Sequence, residues 1–181
     1  MTSQKSLAKF SDLPPVLPNT ELYGHVAEYY NAEADLLDSY EYMQWVELFT
    51  DDSTYRMPVR TTQFLIDGEG FQDFDFMIDD WKTLYTRAKR LETEFAWAET
   101  PPSRTRHFVS NLRVATDPEA DVLATRANFM VTRTRQDRDY QLFTGSRHDR
   151  LVREGDSFRI RNRLILADQT VITGTNLSIF F

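Results

Sequence analysis

The chain has 181 residues, no cysteine, and 28 acidic against 21 basic residues, for a formal net charge of −7. That length suits one domain with a substantial core. The missing thiols exclude disulfides, thiolate nucleophiles and cysteine-ligated iron–sulfur clusters within the chain, and the acidic balance speaks against nucleic acid or an anionic membrane as partners. No secretory leader pattern and no apolar run of the roughly 18 residues needed for a membrane span is present, so a cytoplasmic protein is expected.

Residues 1–19 are polar and punctuated by Pro14, Pro15 and Pro18. They read as an arm without regular structure, either frayed or ordered on a partner, ahead of a single domain over 20–181. Asn19 or Thr20 can cap a first helix, in which Leu22, Val26, Tyr30, Glu33 and Leu37 recur at helical spacing. Glu33 is the one charge in that stripe. Asp38 or Ser39 can cap a shorter helix carrying Tyr42, Trp45, Val46 and Phe49. Residues 53–60 read as a strand, and Pro58 within it demands an edge or a bulge. Residues 61–72, with Gly68 and Gly70, read as a loop, and 73–93 as a third helix wrapping a sheet.

From Arg106 the period becomes two. Phe108, Leu112 and Val114 fall on one face, with His107, Asn111 and Arg113 on the other. Further strands are marked by Leu123 to Val131, by Leu142 and Phe143, and by Phe158 to Leu166, where Arg159, Arg161 and Arg163 alternate with apolar residues. Helices first and long strands later, joined by short turns, imply an α+β fold with a strongly curved, mostly antiparallel sheet.

His25, His107 and His148 lie on three separate elements without metal-motif spacing. There is no Gly-x-Ser-x-Gly elbow and no phosphate-binding glycine loop. Acid–base chemistry is the open enzymatic route: Glu33, Asp38, Tyr55 and His107 could converge, with a buried Glu33 raised in pKa and acting as base. The competing reading pairs Glu33 with an arginine such as Arg60, Arg104 or Arg106. Arg104, Arg106 and His107 form either an anion clamp or a structural and interface cluster. The Arg159/Arg161/Arg163 row is either solvated or a docking face for an acidic partner. Phe180 and Phe181 must be tucked into the core or into a neighbouring subunit.

Several segments resemble one family. They are Tyr30-x-x-Glu33-Ala34-x-Leu36-Leu37-Asp38, Trp45, Asp52-x-x-Tyr55-x-Met57-Pro58-x-Arg60, Pro101-Pro102-Ser103-Arg104-Thr105-Arg106-His107 with Ser110-Asn111, and Asn176-Leu177-Ser178-Ile179-Phe180-Phe181. Their order and spacing resemble the small (β) subunits of aromatic-ring-hydroxylating, Rieske non-haem iron dioxygenases of the biphenyl and naphthalene type, across about residues 22–181. The resemblance implies a cone-like, nuclear-transport-factor-2-like fold with the N-terminal helices in the concave face of the sheet. It implies a structural β subunit, without catalytic, cofactor or metal residues of its own, in an α3β3 hexamer that converts an aromatic hydrocarbon to a cis-dihydrodiol. The [2Fe-2S] Rieske cluster and mononuclear Fe(II) would belong to the α subunit, a ferredoxin and a reductase would deliver electrons from NAD(P)H, and the β subunits would form a trimer. Trp97, Arg104, Arg106, His107 and Asn111 are then expected in the subunit-contact network, with Arg159, Arg161, Arg163, Phe180 and Phe181 as further structural or interface residues. The alternatives are a stand-alone isomerase or dehydratase of the same fold and a ligand-binding module.

Overall fold

The computed structural model describes residues 9–61, 70–92, 102–135, 139–171 and 179–181. After a short 3-10 turn at Phe10–Asp12, the elements are β1 (Pro15–Val16), α1 (Glu21–Asp38), α2 (Tyr42–Glu47), β2 (Phe49–Thr61), β3 (Gly70–Asp80), α3 (Trp81–Leu91), β4 (Arg104–Thr116), β5 (Val122–Arg135), β6 (Asp139–Glu154) and β7 (Ser157–Ala167). One seven-stranded sheet has the order β1-β4-β5-β6-β7-β2-β3. All described neighbours are antiparallel except β2 and β7.

Local chemistry explains the helices. The Thr20 hydroxyl accepts the Tyr23 N–H and caps α1, supplying a partner for an otherwise orphaned donor. Val26, Tyr29, Tyr30, Glu33 and Leu37 form its buried stripe. Asp38 does not cap α2 as its position suggested. It ends α1, the chain turns through Tyr40 at φ 64°, and no side chain caps α2.

Further expectations are corrected. Phe49 begins β2 and is not on the second helix, and the stretch 61–72 expected as a loop is strand at Thr61 and from Gly70 on, while 62–69 lie outside the described residues. The arm is not without regular structure, because Pro15 and Val16 pair with Ala115 and Val114 at the edge of β4. Residues 73–93 are not one helix: up to Asp80 they continue β3, paired to β2. Asp80 then caps α3, its carboxylate accepting the Thr83 N–H at 2.8 Å. Pro58 sits at a bulge in β2, which lies between β7 and β3 and is no edge. The missing N–H of proline is tolerated where the ladder is already interrupted.

The core lies between the helices and the inner face of the sheet, built around Trp45, Phe49, Leu37, Leu84, Leu151, Ile160 and Ile165. Gly145 in β6 is obligatory there. A Cβ would stand 2.3 Å from the Leu166 carbonyl oxygen and 2.9 Å from the Phe129 ring.

Candidate functional site

The inner face carries a closed charge cluster. Helix α1 points Tyr30 and Glu33 at the sheet, β6 supplies Arg147 and Asp149 two residues apart on one face, and β7 supplies Arg163. All are buried. Glu33 accepts from Arg147 Nη2 at 2.8 Å, from Arg163 through both terminal nitrogens, and from the Trp45 indole at 3.0 Å. Asp149 accepts from Arg163 Nε at 3.0 Å, Arg163 Nη2 at 2.7 Å and the Tyr30 hydroxyl at 2.8 Å. Two carboxylates meet two guanidiniums, so the cluster is neutral and its polar atoms are largely satisfied.

Burial alone would raise the Glu33 carboxyl, but the Arg147 and Arg163 charges and the hydrogen bonds from Arg163 and Trp45 outweigh it and hold the group down at about 2. It is therefore a permanent anion with no basicity to lend near neutrality. Its partners are Arg147 and Arg163. Arg60 instead faces Asp168 and Arg106 faces Asp38, which corrects the expected pairing. Burial pushes the Tyr55 hydroxyl up to about 12, the nearby Arg163 and Arg87 charges opposing it in part.

His107 and Asp38 form a second inward pair. Asp38 accepts the His107 backbone N–H at 3.0 Å and stands 2.6 Å from Nδ1, while Nε2 is 3.0 Å from the Phe180 carbonyl oxygen. Burial would raise the Asp38 carboxyl, and the hydrogen bonds from His107 reverse this and lower it. Tyr55 likewise meets the backbone of Phe181. Glu33, Asp38, Tyr55 and His107 thus line one interior, but Phe180 and Phe181 of the same chain fill it. Two surface hollows elsewhere, one beside Glu21, His25 and Arg153 and one under Pro15 and Val16, are lined by none of these four residues.

Two bulges redistribute the expected strand faces. In β4 the register shifts between Ser110 and Arg113, with Asn111 at φ 51°, a conformation asparagine tolerates better than most residues. One extra residue reverses the alternation. Phe108 therefore does not share a face with Leu112 and Val114. It points outward with Arg104 and Arg106, while Thr105, His107 and Val109 point inward. In β7 the partner register shifts across Arg161. The expected row of three arginines on one face is not formed: Arg163 turns into the core, Arg161 pairs bidentately with Glu119 at 2.9 and 2.6 Å, and Arg159 lies near Asp51 and Glu154. Phe180 and Phe181 lie in the chain's own core. Trp97 lies outside the described residues.

The outer face is apolar where it is open. Phe108 pairs in register with Met130, and one row along Arg106, Thr132 and Leu142 lie side by side, followed by Arg104, Thr134 and Tyr140. Phe108, Met130, Tyr140 and Leu142 are all exposed. A second exposed apolar set, Phe74 and Ile78, sits on edge strand β3. The sequence pattern hid the Phe108 group because the Asn111 bulge reverses its face. The charge cluster had one visible signal, Glu33 in an apolar stripe, but its arginines were not identifiable without the sheet.

The profile of the "Ring hydroxylating beta subunit" family matches residues 32–174. The chain belongs to this family. It is 36% identical over 167 residues to the benzene 1,2-dioxygenase subunit beta of Pseudomonas putida, covering 89% of each chain. It is also 36% identical over 173 residues to the chlorobenzene dioxygenase subunit beta of Cupriavidus sp. (strain PS12), covering 92% of this chain and 91% of that one. A solved naphthalene 1,2-dioxygenase structure with indole bound in its active site shares the fold, with a TM-score of 0.76 at 22% identity over 90% of this chain and 89% of the other. For a ring-hydroxylating β subunit, the geometry is coherent: the interior is filled by its own side chains, and the exposed apolar groups lie on the outer sheet. Among the described residues no three His, Asp or Glu are gathered as a metal site, and no helix among them is long and apolar enough to cross a membrane.

Proposed function

We propose that this chain is the non-catalytic β component of a cytoplasmic, multicomponent aromatic-ring dioxygenase, docking on an α subunit in an α3β3 hexamer. The α subunit would hold the [2Fe-2S] Rieske cluster and the mononuclear Fe(II), with ferredoxin and reductase components supplying electrons. A Rieske cluster needs two cysteine ligands and this chain has none, which supports placing that cluster on the partner. The observation that carries the reading is the division of the sheet: a closed, charge-neutral interior beneath an exposed Phe108/Met130/Tyr140/Leu142 surface. An apolar group of this kind, flanked by Arg104 and Arg106, suits a subunit interface with an apolar centre and a polar rim. Holding an α subunit in place matters because small misplacements around a catalytic iron lower rates steeply. Arg104, Arg106 and Asn111 would lie at or near the contact, and His107 would support it from inside the sheet.

Co-expression with a Rieske-type α chain tests this, read by size-exclusion chromatography with light scattering and by iron analysis. The expected product is a large equimolar complex with all iron on the α chain, and Arg106→Ala lowers its yield more than it alters the product distribution. A lone β chain that never associates and turns over a small carbonyl substrate by itself would overturn the reading.

A further inference from the structure

Ile179–Phe181 belong to no helix or strand, yet Phe180 and Phe181 are almost fully buried. They are held the way a protein holds a ligand. The Phe180 ring lies 4.3 Å from Trp45 and 5.9 Å from Tyr42, centroid to centroid, with the Arg87 guanidinium 5.1 Å from its centre. The Phe181 ring occupies a separate box between Phe129 at 5.4 Å and Phe143 at 5.5 Å. The backbone is met by side chains rather than by a neighbouring strand. The Phe180 carbonyl faces His107 Nε2 at 3.0 Å, the Phe181 N–H donates to the Tyr55 hydroxyl at 2.9 Å, and the Phe181 carbonyl accepts from Arg163 Nη1 at 2.9 Å.

These receptor groups are oriented independently of what they hold. Asp38 fixes His107 through its other ring nitrogen, and Glu33 with Asp149 fixes Arg163 from two sides. A site whose polar groups are pre-aimed and whose walls are aromatic has the build of a small-ligand pocket. Contacts made by side chains do not require the bound segment to continue a strand. The covalent link to the rest of the chain then contributes effective concentration.

We propose that the interior of the cone is a two-subsite receptor for a paired-aryl peptide, occupied in cis by Phe180 and Phe181, and able to take the free Ile-Phe-Phe peptide once the tethered one is released. This receptor goes beyond the assembly role and stands or falls separately from it. It also explains why the Asp38–His107 pair and Tyr55 are closed to outside molecules: the chain's own amide groups occupy their hydrogen-bonding positions.

The test uses the full chain with residues 172–177 replaced by a site-specific protease sequence, folded intact and then cut. Cutting alone is expected to leave the melting temperature unchanged at high protein concentration. Removing the released peptide by dilution and gel filtration lowers it by on the order of 10 °C, as expected for emptying two large aromatic sites. Added acetyl-Ile-Phe-Phe restores it in a concentration-dependent manner, while acetyl-Ile-Ala-Ala does not. If the emptied chain unfolds, the same two peptides are supplied during refolding and the native near-ultraviolet signal is read. His107→Gln in the cut chain weakens peptide retention severalfold without changing the preference for rings. An unchanged melting temperature after peptide removal, no recovery with the phenylalanine peptide, or equal recovery with the alanine peptide would each overturn the receptor.

Discussion

The two faces of this sheet reverse the usual distribution of residue types. The inner face buries the cluster of Glu33, Asp149, Arg147 and Arg163 beside Trp45 and Tyr30, while the outer face leaves Phe108, Met130, Tyr140 and Leu142 in contact with solvent. Buried charges are tolerated only when paired and hydrogen-bonded, and exposed apolar clusters generally mark a surface awaiting a partner. The difference separates two properties that one core usually mixes. Stability of the subunit resides in the inner cluster and its aromatic surroundings; association, on the proposed function, resides on the outside. Substitutions can therefore damage one without the other.

The largest effect belongs to the inner face. Glu33→Ala leaves Arg147 and Arg163 each short of a carboxylate partner, which should destabilise the fold by roughly 3–5 kcal/mol and lower the melting temperature of the isolated subunit by about 10 °C. A variant that melted like the parent would show that the cluster contributes little and would dissolve the contrast between the faces. Gly145→Ala acts at the same level by sterics. Its new methyl would clash with the Leu166 backbone and the Phe129 ring, a packing conflict worth on the order of 1–3 kcal/mol or more, measurable by urea denaturation.

Acid sharpens the point with a defined sign. The Glu33 carboxyl lies at about 2 in the folded chain against an ordinary 4.5. A depressed folded value contributes stability that is fully present above about 4.5 and is lost as pH falls from there toward about 2. Stability of the native chain should thus fall across that window, and Glu33→Gln should flatten this part of the profile. Parallel acid profiles for parent and variant would remove Glu33 from the account.

How much of this was legible in the sequence follows from how each feature is encoded. The first helix and its Thr20 cap are local, and so are the long strands with their turns, including Gly155 at φ 59°. The misplaced third helix has a local explanation as well: Asp80 is a capping residue midway through the segment, and the alternating Phe74, Phe76 and Ile78 before it are strand-formers. The faces of β4 and β7 were not legible, because a single bulge residue, at Asn111 or near Arg161, inverts everything beyond it. Glu33 announced a buried partner, yet Arg147 and Arg163 lie 114 and 130 residues away, and only strand register brings them to it.

On the outer face the expected effect shifts from stability to association. Phe108→Asp together with Leu142→Asp removes exposed apolar surface and should change the subunit's own stability by no more than about 0.5 kcal/mol per site, while recovery of a complex with the α chain falls severalfold or is lost. Retained assembly, read by light scattering, would move the interface to another surface, with the Phe74 and Ile78 edge of β3 next to be tested.

The smallest effect should come from Arg161→Ala, and it discriminates between two uses of the same arginine. Arg161 is half-exposed and engaged with Glu119 on its own chain, an ion pair at the surface where water and salt weaken the attraction. Its loss should leave the melting temperature within roughly a degree or two and should not change association, because the guanidinium is already occupied and the bulge has separated it from Arg163. A marked, salt-dependent fall in complex formation in Arg161→Ala, with stability intact, would mean that the pair with Glu119 opens to receive an acidic partner. The outer surface would then dock by charge as well as by apolar contact, and the division between a charged interior and an apolar exterior would hold only for the subunit alone.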